Sequence, residues 1–261
     1  MNFKCILISI FFLLNIRPVE AQRETYSQFW SEISFARVIK GKWSAESIFS
    51  GTRSRTANES GMFKFQSNFG IELWGQYHAN AKMQFAGQLA YFSNKNVPDL
   101  NQSKSTEIRI TPQAVYFFNK KHYIFSTRAR MELRILKNDE GSADDVYRYR
   151  QQVSFTYPFN SKVIREGVYY GIVAEELFFK TNSDVSGLSF FDRNNFRIGL
   201  GYAVSDNFQL QASYINEYLP RSSGDKIYNA FKISLLFNNF LSEVRGYLSD
   251  LRKTSGEGID E

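Results

Sequence analysis

Polar and apolar residues alternate along residues 107–135, in two stretches that are separated by a short polar turn. In the first stretch, Glu107 and Arg109 interleave with Ile108 and Ile110, and the second stretch continues the alternation. Because successive side chains on a β-strand point to opposite faces, the pattern predicts a hairpin with one apolar and one charged face. A soluble sandwich turns the apolar face inward, whereas a membrane barrel turns it toward lipid and the charged face toward the lumen.

The same alternation predicts eleven strand segments along the chain. They cover residues 27–36, 42–53, 63–77, 82–93, 105–118, 122–136, 146–157, 167–180, 195–204, 207–218 and 227–237. Most are about 10–14 residues long, whereas strands of soluble proteins are usually nearer to 5–6 residues. A tilted strand needs about 9–11 residues to cross a bilayer, so the strand length favours a membrane barrel.

The connections between these segments alternate between short and long. The short ones lie near residues 38–41, 78–81, 119–122, 158–161 and 205–207, and the long ones near 54–62, 94–104, 137–145, 181–194 and 219–226. Short periplasmic turns that alternate with longer extracellular loops are typical of outer-membrane barrels. Because single-chain bacterial barrels normally have an even number of strands, we expect ten or twelve strands rather than eleven.

A two-residue turn at 119–122 predicts the register of the central hairpin. It places Arg109 opposite Glu132 and Glu107 opposite Arg134. The same register also matches apolar residues, Ile108 with Leu133 and Ile110 with Met131. A slip by one residue would violate both faces, so this register is strongly specified.

The charged face of the hairpin and of the next strand is the candidate site, a lumen charge network. Its members are Glu107, Arg109, Arg128, Arg130, Glu132, Arg134, Arg148 and Arg150. In one interpretation the charges neutralise one another and fill a small lumen. In the other, the excess of guanidinium groups binds an anionic solute or biases a narrow conduit toward anions. Barrels of eight strands are filled by side chains and open porins need sixteen or more, so size favours the filled lumen.

The two ends of the chain differ from the strand pattern. The first 21 residues have a positive start, an apolar run and a small-residue cleavage site, which indicate a secretory signal peptide. Cleavage before Gln22 removes Cys5, so we expect no disulfide or thiol chemistry in the mature chain. The predicted organisation is a signal peptide at 1–21, a barrel at 22–240 and a periplasmic tail at 241–261 with a short amphipathic helix.

Other function classes find little support in the composition. The net charge of +6 is spread along the strands rather than gathered in one patch, which argues against a nucleic-acid partner. Both histidines, His78 and His122, fall in short turns, and no metal-ligand spacing is present. Glu175 and Glu176 are adjacent on a strand and must face opposite sides; we expect one to pair in the lumen with an arginine such as Arg148 or Arg197. We therefore expect no catalytic residue, cofactor or metal.

Four short motifs resemble those of the domain of unknown function 2490 family. They are FDRNNFRIGLGY at 191–202, EELFF at 175–179, YRYR at 147–150 and GKW at 41–43. The resemblance covers about residues 22–237. It implies a secreted bacterial protein, largely from Bacteroidota, that looks like an outer-membrane barrel. It implies no established activity and no catalytic residues, so no site residue is carried over.

The sequence therefore predicts an all-β fold, a single antiparallel up-and-down transmembrane barrel of ten to twelve strands. Its expected role is non-enzymatic, as a structural or binding protein or as a narrow conduit. Expected partners are outer-membrane lipid, lipopolysaccharide and the barrel assembly machinery, whose targets end in an aromatic strand such as 227–237. Two alternatives stay open: a barrel enzyme that acts on envelope lipids, and a soluble periplasmic barrel that binds an apolar ligand. The sequence names no cargo.

Overall fold

A computed structural model describes residues 24–55, 63, 65–97, 102–119, 122–139, 141, 143–182, 190–221 and 224–239. These residues form an all-β fold whose eleven strands close into one barrel. The predicted barrel is therefore confirmed. Within this part of the chain, no helix is long and apolar enough to span a membrane. The predicted signal peptide and the predicted helix of the tail lie outside the described residues.

Each strand is the antiparallel neighbour of the next along the chain. The strands are β1 (Glu24–Lys40), β2 (Trp43–Ser54), β3 (Phe65–His78), β4 (Met83–Asn94), β5 (Ser105–Asn119), β6 (Ile124–Asn138), β7 (Ala143–Pro158), β8 (Tyr169–Lys180), β9 (Phe191–Ala203), β10 (Phe208–Leu219) and β11 (Lys226–Asn238). All eleven predicted segments are present, with ends that differ by a few residues. Each strand has the length that a tilted crossing of a bilayer requires.

The barrel closes through a parallel pair, which we call the seam. An odd number of up-and-down strands leaves the first and last running in the same direction, so β1 pairs with β11 in parallel. The expected even number and fully antiparallel order are therefore wrong. Glu32 and Lys232 form an ion pair of 2.7 Å across the seam, and the rings of Phe35 and Phe237 stack on its outer side at 5.2 Å.

The hairpin of β5 and β6 has the predicted faces, but its register is displaced by two residues. Arg109 lies opposite Arg134 and not opposite Glu132. The outer pairs are Ile108 with Ile135 and Ile110 with Leu133. The displacement arises at the turn, where the pairing is irregular between Phe117 and Asn119 and the connection is longer than a two-residue turn. Because the displacement is even, every side chain keeps its predicted face.

Connections gather at two ends of the barrel, which we call the turn end and the loop end. The turn end has residues 41–42, 79–82, 120–123, 159–168 and 204–207, and the loop end has 55–64, 95–104, 139–142, 181–190 and 220–225. The predicted sorting by length is wrong twice, because 159–168 is long and 139–142 is short. Gly41 makes the tight reversal between β1 and β2 with a left-handed φ of 56°.

The outer wall is apolar and exposed, whereas the inner wall carries the buried charged side chains among apolar ones. Leu73, Leu89, Ile110 and Leu133 lie side by side on four neighbouring strands. Leu89 is 55% exposed and Leu73 is 52% exposed, although both lie in the middle of long strands. The buried charged side chains alternate with this outer set and point into the lumen. The hydrophobic arrangement is therefore the inverse of a soluble β-sandwich.

Candidate functional site

Glu132 lies within 4 Å of three guanidinium groups in the lumen. The alternation of β6 turns it inward, and its side chain is 1% exposed. Arg148 Nε donates to its Oε2 at 2.6 Å, and Arg150 Nη1 donates to its Oε1 at 2.8 Å. Arg109 Nη1 lies 3.7 Å from the same Oε1. One buried carboxylate thus compensates guanidinium groups from β5 and β7.

Glu107 and Glu176 extend these contacts in both directions. Glu107 accepts hydrogen bonds from Arg109 Nε at 2.8 Å and from Arg134 Nε at 2.7 Å. Glu176 accepts hydrogen bonds from Arg128 Nη2 and Arg150 Nε, both at 3.0 Å. Because each carboxylate bridges two guanidinium groups, the charges alternate in sign along a continuous chain of contacts. We call this set, together with Glu132, Arg148 and the residues around Asp192, the ion-pair network.

Asp192 connects the ion-pair network to the loop end. It lies within 3.5 Å of Arg148 Nη1, 3.0 Å of Arg193 Nε and 3.2 Å of Arg221 Nη2. Arg193 also reaches Glu217 on β10 at 3.1 Å. Arg221 belongs to the connection after β10, where burial and the nearby Arg193 lower the pKa of its guanidinium. The network therefore extends from β5 to β10.

Aromatic rings support the guanidinium groups from the side. Phe178 on β8 is buried, and the guanidinium carbons of Arg150, Arg148 and Arg193 lie 4.4, 5.3 and 5.7 Å from its ring centre. Arg109 lies 4.3 Å from the ring of Phe92 on β4. The face of an aromatic ring attracts a cation, so these contacts stabilise charges that carboxylates alone do not fully surround.

All eight predicted site residues line the lumen, and seven of them belong to the ion-pair network. Arg130 stands apart. Its Nε donates to Gln113 Oε1 at 2.5 Å, and its guanidinium lies 4.7 Å from the ring of Trp74. Among the described residues it has no carboxylate partner. The two predicted pairs, Glu107 with Arg134 and Arg109 with Glu132, are in contact, but along diagonals rather than between opposite residues.

One of Glu175 and Glu176 was predicted to pair with an arginine in the lumen, such as Arg148 or Arg197. Glu176 points inward as the alternation requires, and its arginine partners are Arg128 and Arg150. Glu175 points outward and accepts a hydrogen bond from Asn194. The network members on β9, on β10 and in the connection after β10 were not predicted; they are Asp192, Arg193, Glu217 and Arg221. The inward parity of Glu217 was a signal that the sequence did contain.

The loop end of the lumen is capped. Val97, in the connection between β4 and β5, is 1% exposed and clusters with Leu219 of β10 and Tyr228 of β11. These strands lie on the opposite side of the barrel from β4, so the connection crosses the mouth. Gln102 Nε2 anchors the connection by donating to the backbone oxygens of Ser67 and Lys95.

A cavity of about 560 Å³ adjoins the ion-pair network, whose Arg109, Arg150 and Glu176 form part of its wall. On one side its wall carries the carboxylates Glu46 of β2 and Glu72 of β3. On the other side its wall carries Arg128 and Arg130 of β6 and Arg197 of β9, with Glu176 of β8 between these strands. We call this cavity the chamber. Its charged and amide groups, set among apolar side chains, are suited to a small solute that carries polar groups.

Each histidine meets one hydroxyl group at the turn end. His122 Nε2 lies 2.9 Å from the hydroxyl of Tyr157, and His78 Nε2 lies 3.2 Å from Ser44 Oγ. Ser44 Oγ donates at 3.2 Å to the amide oxygen of Gln76. In the described part of the chain, no group of three His, Cys, Asp or Glu side chains forms a metal site.

Comparison with known proteins yields a family. Residues 27–228 match the family described as "Protein of unknown function (DUF2490)". No curated protein and no solved structure matches the chain. The resemblance seen in the four motifs is thereby confirmed, over nearly the same part of the chain. With more than half of its residues matched, the chain belongs to the DUF2490 family.

Proposed function

We propose that this protein is an outer-membrane β-barrel without catalytic activity, exported by a cleaved signal peptide at 1–21. The observation that carries the proposal is the inverted arrangement of side chains, with large apolar residues exposed on the outer wall of the strands. Soluble monomers rarely expose continuous apolar patches larger than a few hundred Å². A bilayer removes that cost, because lipid covers the outer wall while the charges stay in the lumen.

The ends of the barrel support an orientation. Short turns usually face the periplasm and longer loops the exterior, so we assign the turn end to the periplasm. Lipid and lipopolysaccharide are then the partners of the outer wall. On β11, Phe231, Ile233, Leu235 and Phe237 share the outer face, as expected of a terminal strand read by the barrel assembly machinery.

The lumen of the proposed barrel serves structure or binding rather than conduction. Two barriers support this: the cap formed around Val97, and the ion-pair network below it. A solute crossing the barrel would have to break ion pairs whose members are almost completely buried, such as Glu132 with Arg148.

Cell fractionation tests the proposal directly. We expect the full-length chain in the outer-membrane fraction, with a gel mobility that changes when the sample is boiled, because folded membrane barrels resist detergent. A chain that lacks residues 1–21 is the matched control and should stay in the cytoplasm. Release of the full-length chain with the soluble periplasmic proteins would overturn the proposal.

Planar-bilayer recordings test the closed lumen. The purified folded barrel should show no steady channel conductance, under conditions in which a sixteen-stranded porin conducts, because an aqueous channel needs a wider barrel. Regular single-channel steps with the wild-type protein would show a conduit instead. They would not contradict the proposed membrane location.

The contact between Ser44 and His78 is an observation that favours a lipid-modifying enzyme. A hydroxyl nucleophile needs a base that accepts its proton. Gln76 Nε2 donates to Glu46 at 2.9 Å, which turns its amide oxygen toward Ser44. The hydroxyl therefore donates to Gln76 and not to the histidine. If the purified barrel hydrolysed lipid and the Ser44→Ala substitution abolished that hydrolysis, the enzyme would be established.

The soluble alternative required the apolar face to line the interior. In the described strands that face points outward, and the chamber is lined by charged and amide groups such as Glu72, Arg130 and Gln76. The apolar face of the strands is therefore not the lining of the lumen, which argues against this alternative.

A further inference from the structure

We infer that the chamber binds a small organic oxyanion, a carboxylate or a phosphate monoester, through Arg128, Arg130 and Arg197. The inference rests on the proposed closed lumen and names the class of solute that it holds. All three side chains line the same cavity, and they project from β6 and β9.

The three guanidinium groups have unused donors. Arg197 makes no hydrogen bond or ion pair with any described residue, and its Nε atom is buried without a partner. Arg128 donates from Nη2 to Glu176, but its Nε is likewise buried and unpaired within the described chain. Arg130 uses only its Nε, toward Gln113. A buried cation without acceptors is costly, and an anionic ligand supplies the acceptors that the protein does not.

The carboxylates on the facing wall of the chamber, in contrast, already accept hydrogen bonds from neighbouring side chains. Glu46 accepts hydrogen bonds from Ser34 Oγ at 2.5 Å and Gln76 Nε2 at 2.9 Å. Glu72 accepts hydrogen bonds from Gln88 Nε2 at 2.5 Å and from the indole of Trp74 at 3.3 Å. Glu46 and Glu72 are thus occupied by neutral donors, while the other chamber carboxylates, Glu32 and Glu176, are paired with Lys232 and with Arg128 and Arg150. The unmet hydrogen-bonding capacity is on the cationic side, which selects an anion and not a cation.

The two walls also restrict the shape of the solute. Guanidinium groups bind carboxylate and phosphate oxygens through pairs of parallel hydrogen bonds, so the anionic group lies on the side of the chamber that carries the three arginines. Glu46 and Glu72 repel a second anionic group on the other side. A cavity of about 560 Å³ lies within the usual range for small-molecule sites. The fitting solute carries its negative charge at one end and hydroxyl or other neutral polar groups at the other.

Isothermal titration of the folded, detergent-solubilised barrel tests this site, with inorganic phosphate and succinate as probes and glucose as the neutral control. We expect one anion per barrel to bind and glucose not to bind. The double variant Arg130→Gln/Arg197→Gln should weaken binding about tenfold or more, because charge-assisted hydrogen bonds to the anion are lost. Arg55→Gln, an exposed position outside the lumen, should leave the affinity unchanged.

The double variant should fold, because the charges that it removes have no described carboxylate partner. A gel mobility that changes when the sample is boiled shows that the variant has folded. Phosphate should also raise the unfolding midpoint of the wild type but not of the double variant, because a ligand that binds only the folded state stabilises it. Binding of one probe and not the other identifies phosphate or carboxylate as the group recognised. The inference is overturned if the folded wild type binds neither anion, or if the double variant binds as tightly. Neither result affects the fractionation or conductance tests.

Discussion

Glu132→Gln should lower the free energy of unfolding of the barrel by about 3–5 kcal/mol, which is the usual cost of removing one member of a buried ion pair. Glutamine keeps the shape of the side chain but removes its charge. Arg148 and Arg150 then lose a shared acceptor that is 1% exposed, and Arg109 loses a nearby countercharge. Denaturant titration of the refolded protein in lipid vesicles, followed by gel mobility without boiling, measures the change.

An exposed ion pair provides the matched control for this substitution. Lys104 and Asp139 lie 2.8 Å apart, with side chains that are 63% and 60% exposed. Asp139→Asn should therefore change the free energy of unfolding by no more than about 1 kcal/mol. Equally small effects of Glu132→Gln and Asp139→Asn would contradict the network, because they would mean that water already screens the lumen charges.

Leu89→Arg should lower the free energy of folding into a bilayer by about 2–4 kcal/mol, the cost of an outward arginine near the membrane midplane. Leu89 is in the middle of β4, and its neighbours across the strands, Leu73 and Ile110, are also apolar. On the surface of a soluble protein the same substitution usually changes stability by no more than about 0.5 kcal/mol. Refolding yield and denaturant titration in lipid vesicles distinguish these magnitudes.

Val163→Arg is the control for Leu89→Arg. Val163 is 53% exposed, close to the exposure of Leu89, but it lies in the 159–168 connection at the turn end. An arginine there meets water or lipid headgroups and should be nearly neutral. If both substitutions left the stability unchanged, the outer wall would not face lipid. If both lowered the stability equally, the cost of an arginine would not depend on its depth, as it does in a bilayer.

The fold is predictable from the sequence as far as local alternation determines it. Period-two patterning places all eleven strands and assigns Glu107, Arg109 and Arg134 to the lumen, because the face of a side chain depends only on parity. Register depends on turn geometry, and the irregularity at Phe117–Asn119 leaves no mark in the pattern. The number of strands was predicted wrongly for a different reason. The alternation indicates eleven segments, but the expectation of an even number replaced eleven by ten or twelve.

The candidate site was predictable where alternation is strict and not where it is broken. Arg148 and Arg150 follow the period of β7, so they were identified. Asp192 and Arg193 are adjacent, yet both belong to the ion-pair network. A register shift opposite Phe178 and Phe179 allows this, and no sequence pattern reveals it. The sequence also does not reveal that Arg130 lacks a carboxylate partner among the described residues, because this depends on which strands are neighbours in the barrel.

The seam between β1 and β11 constrains the order in which the molecule can fold. Glu32 and Lys232, which bond across it, are 200 residues apart in the chain, whereas the antiparallel neighbours are joined by a single connection. Closing so long a loop has the largest entropic cost and is the slowest kind of contact to form. Until it forms, β1 and β11 each present an edge of unpaired backbone, which lipid cannot satisfy in the proposed membrane location. In that location, any factor that guides insertion must shield these two edges until β1 pairs with β11.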